Sequence, residues 1–82
     1  MTFEEALTCL KSGSRVHRSG WNGKGMWIRE IDLYLDDQFR VKEFENSEGT
    51  WLPFIVMKTV DNKLVPWLAS QTDILANDWQ VF

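Results

Sequence analysis

Five tryptophans in an 82-residue chain are more aromatic bulk than a core of this size can enclose. A domain this short buries only about 60% of the surface its unfolded chain exposes, so its core is marginal. Each indole also carries a ring N–H that needs a partner wherever it is buried. Some of the five must therefore lie at subunit contacts or in a ligand site, and oligomerisation would supply the missing core. With 44% hydrophobic and 26% charged residues, disorder is excluded, and residues 1–82 read as a single domain.

Three of the tryptophans fall in two unusual segments: GWNGKGM from Gly20 to Met26, and PWLASQTDILANDW from Pro66 to Trp79. The first matches neither the phosphate loop of nucleotide hydrolases nor the dinucleotide GxGxxG spacing. Its three glycines permit positive φ and close backbone approach, so that successive N–H groups can converge on an anion. Lys24 adds a charge, and Trp21 offers a flat face for a purine, where stacking contributes about 1–3 kcal/mol per base. The competing reading is a tight hairpin with Asn22-Gly23 at its turn and Trp21 folded onto the sheet. In the second segment Trp67 ends a strand, and Ser70, Gln71 and Thr72 open a helix whose N-terminal N–H groups favour phosphate or ribose oxygens. An ordinary cap, with Trp67 and Leu68 in the core, explains Ser70 but not Gln71 and Thr72.

The net charge of −3 is the wrong sign for a non-specific DNA or RNA binder. Its distribution is uneven. Lys11, Arg15, Arg18, Lys24 and Arg29, with His17, form a basic stretch containing no Asp or Glu, and acids dominate from Glu30 onward. Such a strip suits a small anionic ligand, or else it is a solvated basic edge strand that discourages aggregation.

Local patterns outline an α+β domain: an N-terminal helix packed on a small twisted antiparallel β-sheet, with a short C-terminal helix. Thr2 and Glu5 have capping-box spacing, and Phe3, Ala6, Leu7 and Leu10 share one helical face, predicting a helix over residues 3–12 that Gly13 stops. Arg15 to Arg18 and Met26 to Ile31 read as strands, the latter with Leu33 extending its alternation. Phe39 to Phe44 reads as a further strand before the turn-rich stretch from Glu45 to Gly49. Trp51 to Val60 is a strand that Pro53 confines to an edge, a bulge or its start. Asp61-Asn62 is a two-residue hairpin signal within about 55–67. Ser70 with Asp73 caps a short helix, and Trp79 to Phe82 reads as a last strand.

Catalytic chemistry is poorly represented. One His and one Cys make a cluster of such ligands for a metal impossible, and no nucleophile has a matching base. Asp36, Asp37, Glu43, Glu45 and Glu48 resemble a solvated acidic loop more than a cation site. No enzyme activity, cofactor or metal is expected. The lone Cys9 suits a reducing compartment, and no stretch has the length of a signal peptide or a membrane span, so a cytoplasmic location is expected.

The N-terminal helix with its Glu/Ala/Leu pattern, the basic strand, GWNGKGM, the MKT of Met57 to Thr59, VPWLASQTD from Val65 to Asp73 and the DW of Asp78-Trp79 together resemble the Thoeris anti-defence 2 family. These are small phage and prophage proteins. The resemblance covers nearly all of the chain except about residues 31–54. It implies a sponge that sequesters signalling nucleotides intact: glycocyclic ADP-ribose made by the TIR-domain sensor of Thoeris, and in some members cyclic dinucleotides of the CBASS system. It also implies a homotetramer with pockets between protomers, in the host bacterial cytoplasm. Carried onto this chain, Trp21 becomes the stacking platform and Asn22, Gly23 and Lys24 polar or backbone contacts. Trp67, Ser70, Gln71, Thr72 and Asp73 form the opposing wall. A small phosphodiesterase, or a protein-interaction module using Trp27, Trp51 and Trp79 as hot spots, are the competing classes.

Overall fold

A computed structural model describes residues 1–32 and 51–82. The chain begins with helix α1 (Phe3–Lys11), entered through the anticipated capping box. The Thr2 N–H donates to Glu5 Oε1 at 3.0 Å, and the Glu5 N–H donates to Thr2 Oγ1 at 3.3 Å. At the far end Gly13 takes φ +94°, where its N–H reaches the Leu10 carbonyl and the Ser14 N–H reaches that of Cys9, both at 3.0 Å. Those two bonds close the last turn in the manner of a glycine-terminated Schellman cap. Thr2→Ala removes the entry cap, so we expect it to cost about 1 kcal/mol. Thermal unfolding should then shift down by about 4–8 °C; an unchanged transition would show that the cap is dispensable.

After α1 come β1 (Val16–Arg18), β2 (Trp27–Ile31), β3 (Phe54–Lys58), β4 (Leu64–Pro66), helix α2 (Gln71–Ile74) and β5 (Trp79–Val81). The strands form an antiparallel sheet in the order β4-β3-β2-β1-β5. The α+β architecture read from the sequence is therefore the one observed. Strand β3 starts immediately after Pro53, the position where a missing N–H disturbs a ladder least.

One hairpin differs from expectation. Between β3 and β4 the turn spans Thr59 to Asn62: the Asn62 N–H donates to the Thr59 carbonyl at 3.0 Å, and the Thr59 N–H to the Lys63 carbonyl at 2.8 Å. A two-residue loop would need positive φ at both Asp61 and Asn62. Asn62 alone has it, at 63°, and the Thr59 hydroxyl takes up the Lys63 N–H at 3.0 Å instead.

Because directly paired residues share a face, the register sorts the side chains. Val16, Ile28 and Trp79 are fully buried against Ala6 and Leu10 of α1. The opposite, helix-free face carries Trp27, Arg29 and Ile31 of β2, paired with Lys58, Val56 and Phe54. There Ile31 and Val56 are buried beside Trp51 and Phe54. Strand β4 lies at one sheet edge with all three residues exposed. The expected strand from Phe39 to Phe44, the turn from Glu45 to Gly49, Leu33 and the acidic side chains from Asp36 to Glu48 lie outside the described residues.

Candidate functional site

The two tryptophan segments meet on the helix side of the sheet, around the buried ring of Trp79. Trp21 stands edge-to-face on it, with centroids 5.4 Å apart and planes at 80°. Trp67 approaches at 6.1 Å and 86°, and Phe3 lies 5.4 Å away. Polar groups seal the junction. The Trp79 ring N–H donates to the Asp73 backbone carbonyl at 2.9 Å, and the Trp21 ring N–H donates to Asp73 Oδ1 at 3.1 Å. That same oxygen receives Arg18 Nη1 at 2.7 Å, while Arg18 Nε reaches Asp78 Oδ1 at 2.8 Å. One guanidinium thus clamps the carboxylate of α2 to the one just before β5.

The loop glycines serve contact more than unusual φ. The Gly20 N–H donates to Asp78 Oδ2 at 2.7 Å, so the anion it faces is the protein's own carboxylate. A Cβ on Gly23 would fall 2.1 Å from Val60 Cγ2 and 2.6 Å from Met26 Sδ. Only Gly25 in this loop has positive φ, and the turn lies at Lys24-Gly25 instead of Asn22-Gly23. The three-glycine anion nest expected from the sequence is therefore corrected to a close-packed loop whose first N–H is already used.

Of the anticipated site residues, Trp21, Trp67 and Asp73 are brought together through Trp79. Ser70 spends its hydroxyl on the Asp73 N–H at 3.1 Å as the cap of α2. That helix is a single turn of four residues, too short for a macrodipole to build up, so the dipole argument for this segment does not hold. Asn22, Lys24, Gln71 and Thr72 are exposed. Trp79, a hot-spot candidate in the interaction-module reading, has no exposed surface and belongs to the core.

The basic stretch divides between the two faces. Arg18 joins the clamp, whereas Arg15 and Arg29 reach the helix-free face. There, with Gly13, Trp27, Lys58, Asn62 and Leu64, they line an open concavity of about 560 Å³. The Arg15 guanidinium lies 5.4 Å from the Trp27 ring centroid and 5.2 Å from that of Phe82. Trp27 was anticipated only as a hot spot of the interaction-module reading, and Lys58, Asn62 and Leu64 were not anticipated as site residues. Alternation along β2 signals that Trp27 and Arg29 share a face, but Lys58 and Asn62 arrive from a different hairpin, beyond the reach of local pattern.

The family model of the Thoeris anti-defense 2-like domain matches residues 1–82. The chain belongs to that family. "Thoeris anti-defense 2" of Bacillus phage SP01 is 45% identical over 84 residues, covering 99% of this chain and 93% of the phage protein. Membership in the Thoeris anti-defence 2 family supports an anti-defence role in phage, and the family description indicates no enzymatic activity. Two of the segments that carried the resemblance, GWNGKGM and VPWLASQTD, converge on Trp79 through Trp21, Trp67 and Asp73.

Electrostatics reinforce the clamp at this point in the family fold. Burial works to raise the Asp73 pKa, but hydrogen bonds from Arg18, Trp21 and Ser70 outweigh it and hold the carboxyl below its usual range. Asp78 is lowered chiefly by its hydrogen bond from Arg18, and Arg18 is raised by Asp78 and then Asp73. Among the described residues no group of three His, Cys, Asp or Glu side chains is placed to hold a metal, and no helix is long and apolar enough to cross a membrane.

Proposed function

We propose that this protein is a nucleotide sponge: it binds a cyclic ADP-ribose-type signal, glycocyclic ADP-ribose first among them, and withholds it intact from a Thoeris effector. The observation that carries the reading is the Asp73–Trp21 hydrogen bond, which joins two sequence-distant segments around one aromatic cluster. A ligand of this class needs aromatic surface for its base and polar groups for its ribose and phosphates. Trp21 and Trp67 are half-buried and supply the first; Asn22, Gly23 and Lys24, with Ser70, Gln71 and Thr72, supply the second, mostly from exposed positions. Asp73 acts through Trp21, because its carboxylate is already engaged. Cyclic dinucleotides are the second ligand class for the same test.

The working form is a homotetramer with the site completed between protomers. Leu68 and Leu75, 91% and 76% exposed on the segment around α2, are the apolar surface that such an assembly would cover.

The test is to incubate the protein with glycocyclic ADP-ribose, remove free ligand, denature by heat and identify what is released by mass spectrometry. Intact nucleotide in stoichiometric yield is the expected result. A modified nucleotide would make the protein an enzyme, and no retention of either nucleotide class would sink the proposal. Lys24→Gln combined with Gln71→Ala should lower retention at least about tenfold. Both positions are exposed, so stability should stay within about 0.5 kcal/mol of the parent.

A further inference from the structure

We infer that Asn22 is a self-modification site: its side chain closes on the Gly23 nitrogen, converts to aspartate and isoaspartate, and so places a negative charge in the loop that the sponge reading assigns to an anionic nucleotide. The chain has four asparagines, Asn22, Asn46, Asn62 and Asn77, and only Asn22 is followed by glycine. Glycine carries no Cβ to crowd an approach to its nitrogen. Asn22 is exposed, so water and base reach it. Among the described residues neither the Asn22 side chain nor the Gly23 N–H has a hydrogen-bond partner. The turn that fixes the loop comes later, at Lys24-Gly25.

The other two described asparagines are exposed as well, so exposure does not set Asn22 apart. Restraint does. The Asn62 side-chain carbonyl accepts Lys58 Nζ at 2.8 Å, and the nitrogen that would attack it, that of Lys63, donates its N–H to Thr59 Oγ1 at 3.0 Å. Asn77 precedes Asp78, whose carboxylate is held by Arg18 Nε at 2.8 Å and by the Gly20 N–H at 2.7 Å. A side chain fixed at that position crowds the attacking nitrogen, and its negative charge repels the base that must remove the amide proton.

The step balances with water as its only co-reactant. Base removes the Gly23 amide proton, and the nitrogen attacks Cγ of the Asn22 side chain. The Cγ–Nδ2 bond breaks and ammonia leaves, taking a proton back from solvent, which closes a five-membered succinimide. Water then opens the ring. Breaking the bond from Cγ to the Gly23 nitrogen leaves aspartate; breaking the bond from the Asn22 backbone carbonyl carbon leaves isoaspartate, with Cγ now in the main chain. Nothing is oxidised or reduced. Either product is a carboxylate, so the protein becomes one unit more negative than its net −3.

Isoaspartate also lengthens the main chain by one carbon just before Gly23, where there is no slack. A Cβ on Gly23 would collide with Val60 and Met26, and the Trp21 N–H is tied to the Arg18 carbonyl at 3.2 Å. The new charge sits two residues from Lys24, the cation that the proposed site offers to phosphate. The modification follows from the chemistry of the loop alone, whereas its effect on a nucleotide rests on the sponge reading. An aged molecule is then a poorer sponge, and the protein carries its own limit on how long it holds a signal.

The experiment incubates the full chain in warm, mildly alkaline buffer and follows it by isoelectric focusing and peptide mass mapping, with isoaspartate read by enzymatic methylation. An acidic species is expected that maps to Asn22 ahead of Asn62 and Asn77 and forms faster as pH is raised. It should be absent from Asn22→Gln, whose longer side chain closes a less favourable ring. Conversion at Asn22 no faster than at Asn62 and Asn77 would overturn the site. The effect on function is read with fresh variants. Asn22→Asp should retain about tenfold less glycocyclic ADP-ribose than the parent. Asn22→Ala removes the amide without adding charge and should lose less; equal losses from the two would overturn the charge argument. Aged parent, separated from fresh parent by its charge, should show the same deficit as Asn22→Asp, and undiminished retention by it would equally overturn the limit on holding time. A parent that retains no nucleotide removes the sponge reading and the loss of function with it, while conversion at Asn22 is still scored by mass and charge.

Discussion

Trp79→Ala is expected to remove a large part of the domain's stability. Trp79 is the largest fully buried side chain, and Phe3, Trp21 and Trp67 all pack on it. Truncation of such a residue costs about 3–5 kcal/mol in transfer free energy and cavity formation. A domain of this size has a total stability of roughly 4–12 kcal/mol, so the loss takes a large part or all of it. The melting temperature should fall by at least about 12 °C. Trp79→Phe separates packing from polarity, since it keeps a ring but leaves the Asp73 carbonyl without the indole N–H. A melting temperature within a few degrees of the parent for the alanine variant would show that the core is not organised around this ring.

Asp73→Ala should cost about 1.5–3 kcal/mol, the range for hydrogen bonds to a charged group. It strips a partner from Arg18 and leaves the Trp21 ring N–H unpaired. Nucleotide retention should fall further than stability accounts for, because Trp21 is no longer held. Asp73→Asn preserves an acceptor for that ring N–H and should recover retention in part; equal loss in both variants would show that the hydrogen bond does not set the ring. The same carboxylates govern the acid limb. Asp73 and Asp78 have folded pKa values below their unfolded ones, so the unfolded state binds more protons and stability rises with pH through this window. Their contribution is complete above the unfolded carboxylate value of about 4. It is lost as pH falls from there through the lowered folded values. The parent should hold its stability from neutrality to about pH 5 and lose it below about pH 4, and Asp73→Ala should show a shallower acid limb.

Elements fixed by neighbouring residues were legible without coordinates. Helix α1 announced itself through Thr2, Glu5 and Gly13, whose roles depend on spacings of three residues and on one positive φ. Of the three places open to Pro53, an edge, a bulge or a strand start, β3 shows the last, so the strand expected from Trp51 begins at Phe54. The β3–β4 hairpin was read correctly but its turn was not, because Asp61 and Asn62 both tolerate left-handed backbone, and nothing local shows that the Thr59 hydroxyl removes the need for a second such residue. In the site, the two tryptophan segments were visible as sequence, but the use made of Asp73 was not. Its partners Arg18 and Trp21 lie 55 and 52 residues away, and only the β1–β5 pairing brings them within reach. Strand parity likewise decides the basic stretch: Val16 points to the core, so Arg18 follows it to that face and Arg15 takes the other.

Pro66 limits how this sheet can grow. The Trp67 N–H turns inward to the Ile55 carbonyl at 3.0 Å, so by alternation the backbone groups of Leu64 and Pro66 face outward from β4. Proline has no N–H to offer there. A second copy docking strand-to-strand on that side would meet carbonyls and a ring where it needs a donor. Copies adding to that edge one after another would each lack a ladder hydrogen bond at Pro66, which disfavours growth of the sheet into a filament.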